Sequence, residues 1–112
     1  MAVELIPSST YKLRAPNNIS EHAIYFTIGG YPHPVWLFVN CKAMDSFQWI
    51  SALMTSYCGR LHHPGGVEDI INEMKSTFAP GGRYIVPDGT GREVNSIVHH
   101  LGLTLEAHLN AH

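Results

Sequence analysis

The spacing of the hydrophobic residues changes near the middle of this chain, and that change limits the folds open to it. Up to Lys42, apolar, aromatic and β-branched residues stand in short runs that are typical of strands. Beyond that point they recur every three or four residues, as on amphipathic helices. The pattern predicts an α+β domain in which the strands come first and the helices follow.

Three strands are predicted in the first half of the chain. They are Ser9–Arg14, His22–Ile28 and Val35–Cys41. The segment Gly29–Pro32 separates the second strand from the third, and its glycines supply the positive-φ positions of a tight turn. We therefore expect an antiparallel three-stranded β-meander with two open edges.

Three amphipathic helices are predicted in the second half. Their apolar stripes run from Phe47 to Leu61, from Val67 to Phe78 and from Val94 to Leu109. Packing the three helices on the meander gives a two-layer domain that takes in residues 1–112. The third stripe is long enough for a subunit contact as well as a core contact.

Two capping boxes are predicted at helix starts. Asp45 stands three residues before Gln48 at the start of the first helix, and Thr90 stands three residues before Glu93 at the start of the third. In such a pair, each side chain accepts a hydrogen bond from a backbone N–H at the helix start.

The chain is poor in charge, since Lys, Arg, Asp and Glu make up 14% of it against about 25% in an average soluble domain. We expect part of its surface to be buried between subunits of a homo-oligomer, at the open sheet edges and along the third stripe. The formal charge of −2 favours neither polymeric nucleic acid nor an anionic membrane as a partner.

A cytoplasmic location is predicted from three features. Two cysteines cannot form the disulfide framework of a small secreted domain. The first residues contain neither the basic region nor the apolar core of a signal peptide. No run approaches the 18 apolar residues of a membrane span.

Eight histidines are unusual in a chain of this length, and four of them stand in two doublets, His62-His63 and His99-His100. Neighbouring residues on a helix point about 100° apart, so a doublet offers a metal at most one ligand. We interpret them as polar loop and helix-flank residues, and we predict neither a metal nor a cofactor. A metal-dependent enzyme remains the minority alternative.

Nucleophilic catalysis has little support in the sequence. Cys41 at a strand end, beside Lys42, is the better candidate nucleophile, but local spacing places no histidine near it. No serine stands in a Gly-x-Ser-x-Gly setting. We therefore expect a non-catalytic domain with no catalytic residues.

An anion site is predicted where a glycine- and arginine-rich segment leads into the third helix. Glycines let backbone N–H groups approach a ligand, and the free N–H groups of a helix start attract phosphate. Arginine adds bidentate contacts, and an aromatic ring could stack on a base. The candidate ligand-binding residues are Arg83, Arg92, Tyr84, Gly81, Gly82, Gly91, Thr90, Phe78 and, from a neighbouring strand end, Lys42.

An ordered series of short motifs resembles the TSCPD domain, closest to the small subunit or C-terminal domain of adenosylcobalamin-dependent (class II) ribonucleotide reductases. The series spans roughly residues 7–109, and no single motif in it is diagnostic. The motifs are Ser9–Leu13, Glu21–Ile28, Leu37–Lys42, Phe47–Leu53 with Arg60, Gly65–Val67, Ile71–Lys75, Phe78–Gly82 and Arg83–Ile85.

The resemblance implies an accessory or ligand-binding role. The Thr-Ser-Cys-Pro-Asp signature that names the family is missing, and 112 residues cannot hold the reductase's catalytic barrel. We expect a self-associating domain that binds a nucleotide-type ligand or acts beside a class II reductase large subunit. One alternative is a phage-type sponge that sequesters cyclic nucleotide or cyclic ADP-ribose immune signals. A second is a pure protein-interaction module.

Overall fold

Three consecutive strands, β1 (Ser8–Leu13), β2 (Ile24–Gly29) and β3 (Trp36–Cys41), build the main sheet. A computed structural model, which describes residues 6–30, 33–42, 48–78 and 82–111, pairs them antiparallel in the order β1-β2-β3. Tyr11 lies opposite Phe26 in the register. The predicted three-stranded β-meander is confirmed.

The two faces of this sheet have different surroundings, because successive side chains of a strand point to opposite sides. Phe26 and Ile28 are fully buried on the face that packs against the helices. Tyr25 and Phe38, on the other face, are 41% and 54% exposed. The helices therefore cover one face only, as expected of two layers.

The helices are α1 (Gln48–Arg60), α2 (Gly66–Lys75) and α3 (Ile97–Ala111). Helix α1 packs against β3, and α2 packs against α3. The Cys58 Sγ atom of α1 accepts a hydrogen bond from the Leu37 backbone N–H at 3.2 Å, which fixes α1 to β3. The predicted succession of a meander and three helices is thus confirmed. The second predicted stripe is too long, because α2 ends at Lys75 and Phe78 is 63% exposed beyond it.

The predicted start of the third helix is wrong. Helix α3 begins at Ile97, and Ser96 is its cap, because the Ser96 Oγ accepts a hydrogen bond from the His99 backbone N–H at 3.0 Å. Thr90 and Glu93 lie outside the helix and do not cap it. The other predicted capping residue, Asp45, lies outside the described residues.

A small hairpin that the sequence analysis missed precedes α3. Its strands are β4 (Tyr84–Ile85) and β5 (Glu93–Val94), and the Val86 N–H donates to the Arg92 carbonyl at 2.8 Å. Gly91, at the tip, has a φ of 74°, a conformation that favours glycine. Of the predicted phosphate-binding glycines, Gly91 therefore lies in a hairpin and not at a helix start.

The apolar stripe of the third helix is used within the chain. Val94, Val98, Leu101 and Leu105 are fully buried in the core, and only Leu109 at its end is partly exposed. This burial leaves little of the stripe for the subunit contact that the sequence analysis placed there.

Candidate functional site

A groove lies between β1, the β4–β5 hairpin and α3, and we call it the α3 groove. One face of α3 forms its floor, while β1 and the hairpin form its walls. Its volume is about 400 Å³. The residues that line it are Tyr11, Leu13, Val86, Asp88, Thr90, Arg92, His100, Leu103, Thr104, Ala107 and His108.

Two tyrosine–histidine pairs connect α3 to the strands around it. The Tyr11 hydroxyl lies 2.6 Å from His108 Nδ1, and the Tyr84 hydroxyl lies 2.8 Å from His100 Nδ1. Both ring pairs meet edge to face. Because the two histidines stand eight residues apart, they lie on one side of α3. The pairs hold β1 and the hairpin at fixed positions over the helix.

His100 is a buried, neutral imidazole. Burial lowers the pKa of His100, and the nearby Asp88 carboxylate offsets part of that effect. Burial raises the pKa of Tyr84, so its hydroxyl keeps its proton. That hydroxyl has no other partner among the described residues, and we assign it as the donor to Nδ1. The remaining ring donor of His100 is then Nε2–H, on a ring that lines the groove.

The hairpin loop places the Asp88 carboxylate in the groove, but this carboxylate is already hydrogen-bonded within the loop. Asp88 Oδ1 accepts hydrogen bonds from the Thr90 hydroxyl at 2.6 Å and from the Thr90 backbone N–H at 3.0 Å. These bonds lower the pKa of Asp88. The carboxylate stays ionised and keeps the loop in shape.

The seven Lys and Arg residues of the chain fall into two groups. Three of them form ion pairs away from the groove: Arg60 with Glu73, Lys75 with Glu106 and Arg83 with Glu93. The other four, Lys12, Arg14, Lys42 and Arg92, make no ion pair with any carboxylate that the structure describes.

These four cations line one connected surface, which we call the cationic track. Arg92 lines the α3 groove, and Lys12 and Arg14 line a neighbouring hollow of about 310 Å³ that shares His100 with it. Lys12 and Arg14 also line a third hollow of about 240 Å³, together with Lys42. Among the described residues, four cations thus face two carboxylates, Asp88 and Glu21, in these hollows, which gives the track a positive excess.

Some of the sequence-predicted site residues meet on this track. Arg92 and Thr90 line the α3 groove, and Lys42 lines the third hollow. Gly91 is exposed beside Arg92 at the hairpin tip, while Gly82 is half-buried before β4. Gly81 lies outside the described residues.

Three other residues of the predicted site lie away from the cationic track. Arg83 lines none of the three hollows and pairs with Glu93. Phe78 follows the end of α2, 63% exposed, and does not line them either. Tyr84 is buried with its hydroxyl bonded to His100, so its ring cannot stack on a ligand in this conformation.

Sequence reasoning missed Lys12 and Arg14, which stand at the centre of the track. Lys12 lies near the end of β1 and Arg14 directly follows the strand, far along the chain from the hairpin that they meet in the folded protein. Their spacing of two residues on the polar face of a predicted strand was the signal that could have found them.

Among the residues that the structure describes, no cluster of His, Cys, Asp and Glu is suited to hold a metal ion. No helix in that part of the chain has the length and apolarity to cross a membrane. No protein-family model, curated protein or solved structure matches the chain. The resemblance to the TSCPD domain thus stays a prediction.

Proposed function

We propose that this chain is a non-catalytic, self-associating TSCPD-like domain that binds a phosphate-bearing, nucleotide-type ligand on the cationic track. One observation carries the proposal: the four cations that have no ion-pair partner among the described residues line connected hollows, and the three paired cations lie elsewhere. Cations held close together repel each other, and a multivalent anion relieves that repulsion.

The chemistry of the α3 groove suits a ligand with polar and apolar parts. Arg92 offers a planar guanidinium, which forms paired hydrogen bonds with a phosphate. Leu103 and Ala107 give the floor apolar surface, while Thr104 and His100 give it hydrogen-bonding groups. Binding sites for small molecules combine these two kinds of lining.

Isothermal titration calorimetry with a ligand panel tests the proposal. Nucleoside di- and triphosphates are the ligands expected of a reductase accessory domain, whereas cyclic dinucleotides and cyclic ADP-ribose isomers are those expected of a sequestering protein. At least one of them should bind, and affinity should fall as salt rises, because salt screens exposed charges.

The matched variants are Arg92→Ala and Arg60→Ala. Both remove one exposed guanidinium, but Arg60 is paired with Glu73 outside the track. Loss of a charged hydrogen bond costs about 1.5–3 kcal/mol, so Arg92→Ala should weaken binding about tenfold or more. Arg60→Ala should leave it unchanged. Equal effects of the two variants, or no binding of any ligand by the natural chain, would refute the proposal.

Self-association is the second part of the proposal, and apolar surface supports it. Phe38 is 54% exposed on the uncovered face of the sheet, and β1 and β3 both end the sheet as edges. Sedimentation equilibrium should return a mass above the 12.4 kDa of one chain. A strict monomer at high protein concentration would contradict self-association. It would not bear on ligand binding, which the calorimetry tests separately.

A further inference from the structure

One exposed aromatic residue lies inside the cationic track. Tyr25 stands near the start of the central strand, β2, on the face that the helices leave uncovered, and it is 41% exposed. It is paired across the strands with Lys12 on β1 and with Asn40 on β3. Its ring therefore lies on a wide sheet surface beside a cation.

Two more cations join Tyr25 in the same hollow. Arg14 follows Lys12 by two residues, and Lys42 follows β3, so both come to the end of the sheet where Tyr25 lies. Within the described residues, none of the three cations has a carboxylate partner, although Glu21 lines the hollow as well. The hollow thus combines a partly exposed aromatic ring with three positive charges.

We infer that Tyr25 stacks on the aromatic base of the ligand, while Lys12, Arg14 and Lys42 bind its phosphate. This inference rests on the proposed function and names the part of the ligand that the third hollow recognises. The ligand class is a base joined to at least one phosphate, since a phosphate alone would leave the ring of Tyr25 without a role. Stacking also suits any base, because every base has a π face.

The geometry favours Tyr25 over the aromatic residues that the sequence analysis proposed. Tyr84 is buried against His100, and Phe78 lies outside the three hollows. Tyr25 alone among these three residues lines a hollow of the track. The hollow holds about 240 Å³ and opens on the outer face, so a ring could enter without rearrangement of the core.

The test compares two probes, adenosine 5′-monophosphate and ribose 5-phosphate, which differ by the base. Their dissociation constants are measured by NMR titration of the full chain and of two variants. Tyr25→Phe keeps the ring, and Tyr25→Leu keeps apolar bulk without it. Trp49→Ala, which removes an exposed aromatic residue of α1, is the control.

We expect the natural chain to bind adenosine 5′-monophosphate more tightly than ribose 5-phosphate. Tyr25→Leu should weaken binding of the nucleotide about tenfold, as is common when one stacking contact is lost, and should not change binding of ribose 5-phosphate. Tyr25→Phe should stay within about twofold of the natural chain, and Trp49→Ala should change neither constant.

Two results would overturn the inference in distinguishable ways. If both probes bind equally, or if Tyr25→Leu binds the nucleotide as well as the natural chain does, Tyr25 does not stack and the proposed function stands without it. If neither probe binds and the Arg92 test also fails, the proposed function falls together with the inference.

Discussion

The position of α3, which forms the floor of the α3 groove, depends on a glycine. Gly102 is buried where α3 packs on α2. A Cβ atom at this position would lie 2.8 Å from the Met74 Cβ and 3.3 Å from the Lys75 backbone N. Ordinary carbon contacts are about 3.5–4.0 Å, so Gly102→Ala forces the helices apart by roughly 1 Å.

The expected cost follows from two opposing contributions. Overpacking of this kind costs about 1–3 kcal/mol, and neither Cβ atom can move without its backbone. Alanine improves helix propensity over glycine by about 1 kcal/mol, which offsets part of the cost. We expect a net loss of up to about 2 kcal/mol in the free energy of unfolding.

Gly59→Ala is the matched control. Gly59 lies in α1, and a Cβ atom there would meet nothing within 4 Å. This variant gains the helix propensity, up to about 1 kcal/mol near a helix end, without the clash. The difference between the two variants therefore isolates the cost of overpacking.

Urea denaturation of both variants measures the difference. The midpoint should fall for Gly102→Ala and rise for Gly59→Ala, at an unchanged m-value. If Gly102→Ala is as stable as Gly59→Ala, α2 and α3 do not pack as closely as described, and the floor of the groove is misplaced.

Two further predictions concern the histidines of α3. Tyr84→Phe leaves the buried His100 Nδ1 without a partner and should lower the free energy of unfolding by about 1–2 kcal/mol. The control Tyr25→Phe changes a residue that is 41% exposed and should lower it by less than about 0.5 kcal/mol. Equal losses for the two variants in urea denaturation would contradict the buried pair. Burial lowers the pKa of His100 and His99 in the folded chain, so as pH falls below their ordinary value of 6.5 the unfolded chain takes up more protons and stability falls. Urea denaturation at pH 7.5 and at pH 5.5 should show that loss of stability, and the loss should be smaller in His100→Gln. If the natural chain is equally stable or more stable at pH 5.5, His100 is not a buried neutral imidazole.

The main sheet could be predicted because its inner face follows a strict period of two. Ile24, Phe26 and Ile28 alternate with more exposed residues, and this alternation identifies the strand even when its predicted ends are wrong by a residue or so. The β4–β5 hairpin could not be predicted, because strands of two residues carry no period. Val94 also stands in phase with the stripe of α3, so it was assigned to the helix.

Two of the four cations of the track could be predicted from local sequence, and two could not. The glycine-rich hairpin drew attention to Arg92, and the strand end drew attention to Lys42. Lys12 and Arg14 join them only through the tertiary fold. The burial of Tyr84 could not be predicted, because it depends on His100, a partner that no local pattern indicates.

The most direct test of the central claim is an NMR titration of the ¹⁵N-labelled chain with adenosine 5′-diphosphate. We expect saturable shifts at the four cations of the track, Arg92, Lys12, Arg14 and Lys42, and small shifts at the ion-paired Arg60. Shifts centred on the paired cations would contradict the proposal. So would the absence of saturable shifts at low salt with this nucleotide and with every other ligand of the calorimetry panel.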